Sequence, residues 1–215
     1  MERFQDRYQA GQLLGKKLKS YANRNDVIVL ALPRGGVPVA AMISEAINAP
    51  LDLMIVRKLG VPGHEELAFG ALAGNRIKVY NEELLQYLQL SQEDINQVIS
   101  QEERELARRN RAYRGEKPFP VLKDKIVILV DDGIATGASI RAAVLALRKE
   151  SPKKIIVAVP VAPEDMNGIM RGLADEYVCL MTPLSFNAVG LWYEDFSQTE
   201  DEEVLYLLNK SFNKP

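Results

Sequence analysis

Apolar residues fall along this chain in two kinds of run. From Ile126 to Val130 there is no polar residue at all, and residues 27–32 read the same way, Val-Ile-Val-Leu-Ala-Leu. A strand with one wet face alternates apolar and polar positions, so unbroken runs of this length predict strands covered on both faces, as in a parallel sheet. The second kind of run has helical spacing. Ile140, Val144 and Leu147 recur on one face of a predicted helix over 137–149, and Leu14, Leu18 and Tyr21 share a face of a first helix over about 6–21 that docks on the sheet. With further strands predicted at 51–56 and 154–159 and a helix at 37–47, strands alternate with helices. That order predicts an α/β fold, a parallel sheet flanked by helices.

Between the two halves the pattern changes. Residues 69–73 and 77–80 predict a short antiparallel pair around Gly74-Asn75-Arg76. Ser91 with Asp94 then resembles a helix-capping box, followed by an apolar face of Ile95, Val98 and Ile99. The segment from Glu102 to Arg114 is strongly charged, with Glu105 placed to pair with Arg108 and Arg109, and reads as a solvated face. A last helix is predicted over 199–208. No Gly/Ser/Pro-rich linker divides the chain, so 1–215 is read as a single domain with an insertion at about 75–118.

Bulk properties narrow the function without naming it. Of the 215 residues 47% are hydrophobic and 26% charged, enough for a buried core, and the net charge of -2 argues against broad nucleic-acid binding. The first fifteen residues are too polar for a signal peptide and no apolar run approaches the ~20 residues that cross a bilayer, so the cytoplasm is expected and a membrane is not. One Cys and one His cannot assemble a Cys/His metal cluster or a histidine-based triad. Cys179, alone in an apolar run, is expected to be buried.

The candidate chemistry lies after the 126–130 strand, in Asp131-Asp132-Gly133-Ile134-Ala135-Thr136-Gly137-Ala138-Ser139. Gly133 and Gly137 permit backbone angles that side chains disfavour and let the main chain approach a ligand. Unpaired N–H groups at a helix start, aided by the helix dipole and the Thr136 and Ser139 hydroxyls, favour a phosphate. Asp131 and Asp132 at the strand end suit sugar hydroxyls instead.

This string resembles the signature of type I phosphoribosyltransferases, two acids and a T-G-x-[ST] turn after an apolar strand. The resemblance implies that Asp131 and Asp132 hold the ribose hydroxyls of 5-phosphoribosyl 1-pyrophosphate. It also implies that Gly133 and the loop Ala135, Thr136, Gly137, Ala138 and Ser139 cradle the 5′-phosphate. Pro33-Arg34-Gly35-Gly36, after the first strand, resembles the family's pyrophosphate loop, with Arg34, Gly35 and Gly36 as its donors and a cis peptide before Gly35. Arg57 and Lys58 open a glycine-containing loop over 59–66 that resembles the family's closing lid, and with Asp131 and Asp132 they are the candidate catalytic groups. In that loop His64 is a minor candidate for pyrophosphate contact, and Glu65 and Glu66 are expected to be loop or dimer-contact residues. Mg²⁺ held mainly by the substrate is the implied cofactor, and a homodimer the implied assembly.

The acceptor is less legible. The family takes its base specificity from a C-terminal hood, here about 181–215, in which Phe186, Trp192 and Tyr193 can stack on a flat ring or equally form core or a dimer surface. Ala135 stands where hypoxanthine-guanine enzymes usually carry Asp, which points away from a 6-oxopurine. The whole chain is similar to predicted bacterial phosphoribosyltransferases whose nitrogen acceptor, a nucleobase or similar compound, is unassigned. A non-catalytic regulatory protein sensing phosphoribosyl pyrophosphate is the alternative, and a phosphoribosyl pyrophosphate synthetase a more distant one for which no ATP site is seen.

Overall fold

Each core strand sends successive side chains into two different cores, which is why it reads as unbroken apolar sequence. Val27, Val29 and Ala31 of β1 (Val27–Ala31) enter one core, while Ile28, Leu30 and the following Leu32 enter the other. The same split holds for Ile126, Ile128 and Val130 against Val127 and Leu129 in β6 (Ile126–Val130). The computed structural model describes residues 3–74, 76–88 and 90–212. Asn75 of the expected turn and the last three residues of the 181–215 segment lie outside the described residues, as do the side chains of Glu65 and Glu66.

Five parallel strands form the central sheet in the order β2 (Leu51–Leu53), β1, β6, β7 (Lys154–Val161) and β8 (Glu176–Met181). Helices α1 (Arg7–Lys17), α2 (Gly36–Ile47) and α7 (Asp201–Phe212) cover one face, and α5 (Ala138–Lys149) and α6 (Met166–Leu173) the other. This is the α/β architecture that the pattern predicts. The first helix is shorter than expected, ending at Lys17 before a 3-10 turn over Lys19–Tyr21. Cys179, on the edge strand β8, is only half-buried and its thiol donates to the Met181 carbonyl at 3.2 Å.

The insertion differs more from expectation. β4 (His64–Ala73) and β5 (Ile77–Tyr80) pair antiparallel as predicted, but a third strand, β3 (Val56–Val61), joins them. Arg57 and Lys58 therefore stand within β3, opposite Leu72 and Ala71, and the expected 59–66 lid is the end of a hairpin. Leu59, Val61 and Phe69 explain the ordering: their side chains point into the core on one face, with a register shift at Gly60. α3 (Glu82–Leu88) and α4 (Gln92–Arg114) follow, α4 capped by Ser91, whose hydroxyl accepts the Asp94 N–H at 3.1 Å.

The charged half of α4 is a solvated face only in part. Glu105 pairs with Arg108 and Arg109 at the surface as expected, whereas Arg114 is buried. Its Nε and one Nη donate to Asp52 Oδ1 of β2 at 3.0 and 2.7 Å, and that Nη also reaches the Leu53 carbonyl at 2.8 Å. The side chains are 5% and 10% exposed, so removing either leaves an uncompensated buried charge. Arg114→Met should lower the unfolding free energy by about 3–5 kcal/mol in urea titrations, while a surface change such as Arg108→Met should alter it little. Equal stability of the two variants would show that the buried pair does not anchor α4.

Candidate functional site

The two strands at the centre of the sheet hand the chain to opposite faces. α2 leaves β1 toward one core and α5 leaves β6 toward the other, so the crevice beyond their C-terminal ends is a topological switch point, where open α/β sheets bind ligands. The loop after β1 and the acids after β6 meet there in van der Waals contact. A Cβ on Gly35 would stand 2.0 Å from Asp132 Oδ2, and one on Gly36 would stand 2.8 Å from the Val130 carbonyl and 3.0 Å from Asp131 Cα. Only glycine fits at either position. The structure has its cis peptide at Pro33–Arg34, one bond before the expected Arg34–Gly35.

The two acids differ in their surroundings. Asp131 is half-buried, and its Oδ1 accepts the Asp132 N–H at 2.9 Å. Burial, then the neighbouring Asp132 charge, raises its pKa well above the usual carboxylate value. Burial also raises Asp132, but the Arg7 guanidinium opposes the shift, its Nε donating to Asp132 Oδ2 at 2.8 Å. Arg7 is itself fixed by donating to the Ser197 carbonyl at 2.7 Å and by stacking 3.9 Å above the centre of the Phe196 ring. The Tyr193 hydroxyl donates to the Asp132 carbonyl at 2.6 Å.

Beyond the acids, α5 is preceded by Gly137, which has a φ of 75°, with no side chain capping the helix's first N–H groups. Ala135, Thr136, Ala138 and Ser139 are exposed around this uncapped end. Free N–H groups with the positive end of the dipole are suited to an anion. A Cβ on Gly133 would lie 2.5 Å from Val189 Cγ1, so close packing already demands glycine there.

The candidate cations are arranged less simply. Arg34 Nη1 lies 3.6 Å from both Glu200 and Asp201 at the start of α7. Arg57 Nε donates to Glu102 of α4 at 2.7 Å, and Lys58 beside it is exposed. Arg57, Lys58, Glu102 and Ser139 line one cavity of about 600 Å³ between β3 and α4, so the β3 cations and the 135–139 loop face a shared space. His64 opens β4 opposite Val61 at the hairpin end.

The three aromatic residues proposed for the acceptor are drawn into packing. Tyr193 is 2% exposed, with its ring centre 5.4 Å from that of Phe4 and 5.1 Å from that of Phe196, so it has no free face for a ligand. Phe186 and Trp192, both half-buried, pack on the same small cluster around Phe4, Ala10 and Val161. Sequence reasoning missed Arg7, whose contact with Asp132 spans 125 positions. A signal was present: Arg7 falls on the stripe of Ala10, Gly11, Leu14 and Leu18, where an apolar residue is expected.

The profile of the phosphoribosyl transferase domain matches residues 5–193, and the chain belongs to that family. A Mycobacterium tuberculosis H37Rv protein named "Putative phosphoribosyl transferase" is 41% identical over 211 residues, a match covering 98% of this chain and 47% of that protein. The chain thus spans about half the length of the curated relatives it matches first. The solved structure of the TT1426 protein of Thermus thermophilus superposes with a TM-score of 0.85 at 38% identity, covering 97% of this chain and 98% of that one. The AQ2163 protein of Aquifex aeolicus, at 17% identity and a TM-score of 0.52 over 86% of this chain and 78% of its own, shares the fold.

Two outcomes follow from the acids. Because Asp131 has a raised pKa in the folded state, that state holds its proton where the unfolded chain has lost it, and stability falls as pH rises from about 3.9 through the folded value. Asp131→Asn should therefore melt above the parent at pH 8, by about 2–4 °C for each kcal/mol recovered. The gap should close as the pH is lowered toward 4, and one that widened in acid would contradict the assignment. Arg7→Met removes the charge that lowers Asp132, so the Asp132 carboxyl resonance followed by NMR should titrate at higher pH than in the parent. An unshifted titration would show that Arg7 does not set the charge of Asp132.

Proposed function

We propose that the protein is a phosphoribosyltransferase that binds 5-phosphoribosyl 1-pyrophosphate and Mg²⁺ and transfers the phosphoribosyl group to a nitrogen acceptor. The observation that carries this reading is the contact of Gly35 and Gly36 with Asp132 and Asp131 beside the uncapped start of α5. It sets the Arg34–Gly36 loop, in which the Gly36 N–H is already taken by the Leu32 carbonyl at 3.1 Å, a pair of acids and an uncapped helix end around one crevice. These are the three kinds of partner that a pyrophosphate, a ribose diol and a 5′-phosphate need. The family assignment supports the same chemistry.

In this reading the 5′-phosphate is held by 135–139, the ribose hydroxyls by Asp131 and Asp132, and the pyrophosphate by the 34–36 loop with Arg34, Arg57 and Lys58. The acceptor nitrogen forms a bond to C1′ as the C1′–O bond to pyrophosphate breaks. The electron pair leaves with pyrophosphate, and the nitrogen's proton goes to water. Charge on the ribose is positive in the transition state, and the carboxylates beneath it stabilise that charge. Among the described residues no group of three or more His, Cys, Asp and Glu side chains is placed to hold a metal. Mg²⁺ would be held by the substrate's own oxygens together with Asp131 and Asp132, and when bound it would neutralise the leaving pyrophosphate. The chain's share is placement: Arg7 and Tyr193 fix Asp132, and Asp132 in turn fits against Gly35.

The test is calorimetric binding of phosphoribosyl pyrophosphate with Mg²⁺, followed by pyrophosphate release across a screen of nitrogen acceptors. Binding is expected, with release for at least one acceptor, and Asp131→Asn and Asp132→Asn should each reduce binding or turnover by tenfold or more, about 1.4 kcal/mol. Wild-type kinetics in both single variants would remove the acids from the site. Binding without release for any acceptor would make the protein a sensor of phosphoribosyl pyrophosphate.

A further inference from the structure

Glu102 interrupts the apolar stripe of α4. It stands between Ile99 and Leu106, both buried, and its own side chain is only 14% exposed. A carboxylate taken out of water is costly unless another charge answers it, and an apolar residue in its place is often as stable or more so. Stability alone therefore gives no reason for an acid at this position. Its Oε2 accepts from Arg57 Nε of β3 at 2.7 Å.

That bond is one-sided. Arg108 holds Glu105 through its Nε and an Nη, and Arg114 holds Asp52 in the same way, whereas Arg57 gives only its Nε to Glu102. The Nη groups, whose parallel donors match a phosphate, are left for another partner. Arg57 and Ser139 line the same cavity, so the guanidinium faces the space that reaches the 135–139 loop. The other two cations on the pyrophosphate side are held less firmly. Lys58 is exposed, and Arg34 lies 3.6 Å from Glu200 and Asp201, whose side chains are 60% and 59% exposed.

Two effects of Glu102 on a bound anion oppose each other. An arginine already fixed has less freedom to lose when the anion arrives, which favours binding. The carboxylate also repels the anion. Asp94, Gln97 and Gln101, on the same wall of the cavity, are exposed, so water and salt enter it and screen that repulsion. Resting on the transferase reading above, we propose that Glu102 is a positioning residue that holds Arg57 with its Nη groups directed at the pyrophosphate of the donor. It touches no substrate atom and acts only through the guanidinium. The insertion thereby takes part in donor binding from a helix outside the central sheet.

The experiment is calorimetry of phosphoribosyl pyrophosphate with Mg²⁺ on the full chain and on Glu102→Leu, Glu102→Gln, Arg57→Ala and the Arg57→Ala/Glu102→Leu double variant. Ribose 5-phosphate, which lacks the pyrophosphate, is the control for folding and for the rest of the site. Glu102→Leu is expected to weaken the donor by about tenfold or more, and Glu102→Gln, which keeps an acceptor oxygen for the Nε–H, by less than about threefold. Ribose 5-phosphate should bind every variant as it binds the parent. Millimolar guanidinium should restore part of the donor affinity of Arg57→Ala and none of that of the double variant, because a free guanidinium can sit on Glu102 without linking α4 to β3. Glu102→Leu binding the donor as tightly as the parent or more so would overturn the proposal, as would an equal loss in Glu102→Gln. A parallel loss of ribose 5-phosphate, or no rescue of Arg57→Ala, would reduce the pair to a structural tie and leave the transferase reading standing. Failure of the parent chain to bind phosphoribosyl pyrophosphate would remove the transferase reading and this inference with it.

Discussion

The contact between Gly35 and the Asp132 carboxylate is the constraint around which the site is arranged. Parallel strands β1 and β6 end in register, with Ala31 beside Val130, and the Leu32 N–H closes the pair on the Val130 carbonyl at 2.9 Å. The two loops that follow must then share one small space. They do so because neither Gly35 nor Gly36 has a side chain, and because the next helices depart to opposite faces of the sheet. Any other residue at Gly35 would have to displace a carboxylate or the loop itself. Sheet topology and site chemistry are thus one fact seen at two scales.

A close pair of half-buried carboxylates is unfavourable until something answers its charge. The answer comes from distant parts of the chain. Arg7, at the start of α1, reaches Asp132, and is held there by Ser197 and Phe196. The N-terminal segment is fixed in turn by main-chain bonds: the Phe4 N–H to the Trp192 carbonyl at 2.9 Å, and the Glu194 N–H to the Phe4 carbonyl at 2.8 Å. Both ends of the domain therefore close on the central acids. The aromatic cluster of Phe4, Tyr193 and Phe196 serves this closure, which accounts for the burial of Phe4 and Tyr193.

The central sheet was legible because its strands are buried on both faces, and burial on both faces leaves a simple mark in the sequence. The loop from Asp131 to Ser139 was legible for a related reason, since acids, glycines and hydroxyls occur together there at the join of a strand and a helix. What remained hidden depends on contacts between distant positions. β3 was read as a loop because Arg57, Lys58 and Gly60 interrupt its apolar residues, and only pairing with β4 makes it a strand. Arg7 was not singled out and Glu102 was read as part of a solvated face, although each falls on the inward stripe of its helix. Glu102 lies with Ile95, Ile99 and Leu106, and its side chain is only 14% exposed. A charge on an apolar stripe was the readable clue in both cases. The aromatic residues near the C-terminus gave no such clue, because ligand stacking and core packing ask for the same side chains.

Mechanically, α4 is a beam clamped near one end. Its 23 residues span about 34 Å, and the buried bond between Arg114 and Asp52 fixes the C-terminal turn against the edge of the main sheet. Glu102 provides a second tie part-way along, through Arg57. Gln97 lies beyond that tie, about 25 Å from the clamp, so a tilt of only about 5° at Arg114 carries it through about 2 Å. The width of the cavity is therefore set jointly by this clamp, by the Glu102 tie and by the buried Ile99 and Leu106 between them and the hairpin, and loosening all of these would be magnified where the helix faces the hairpin.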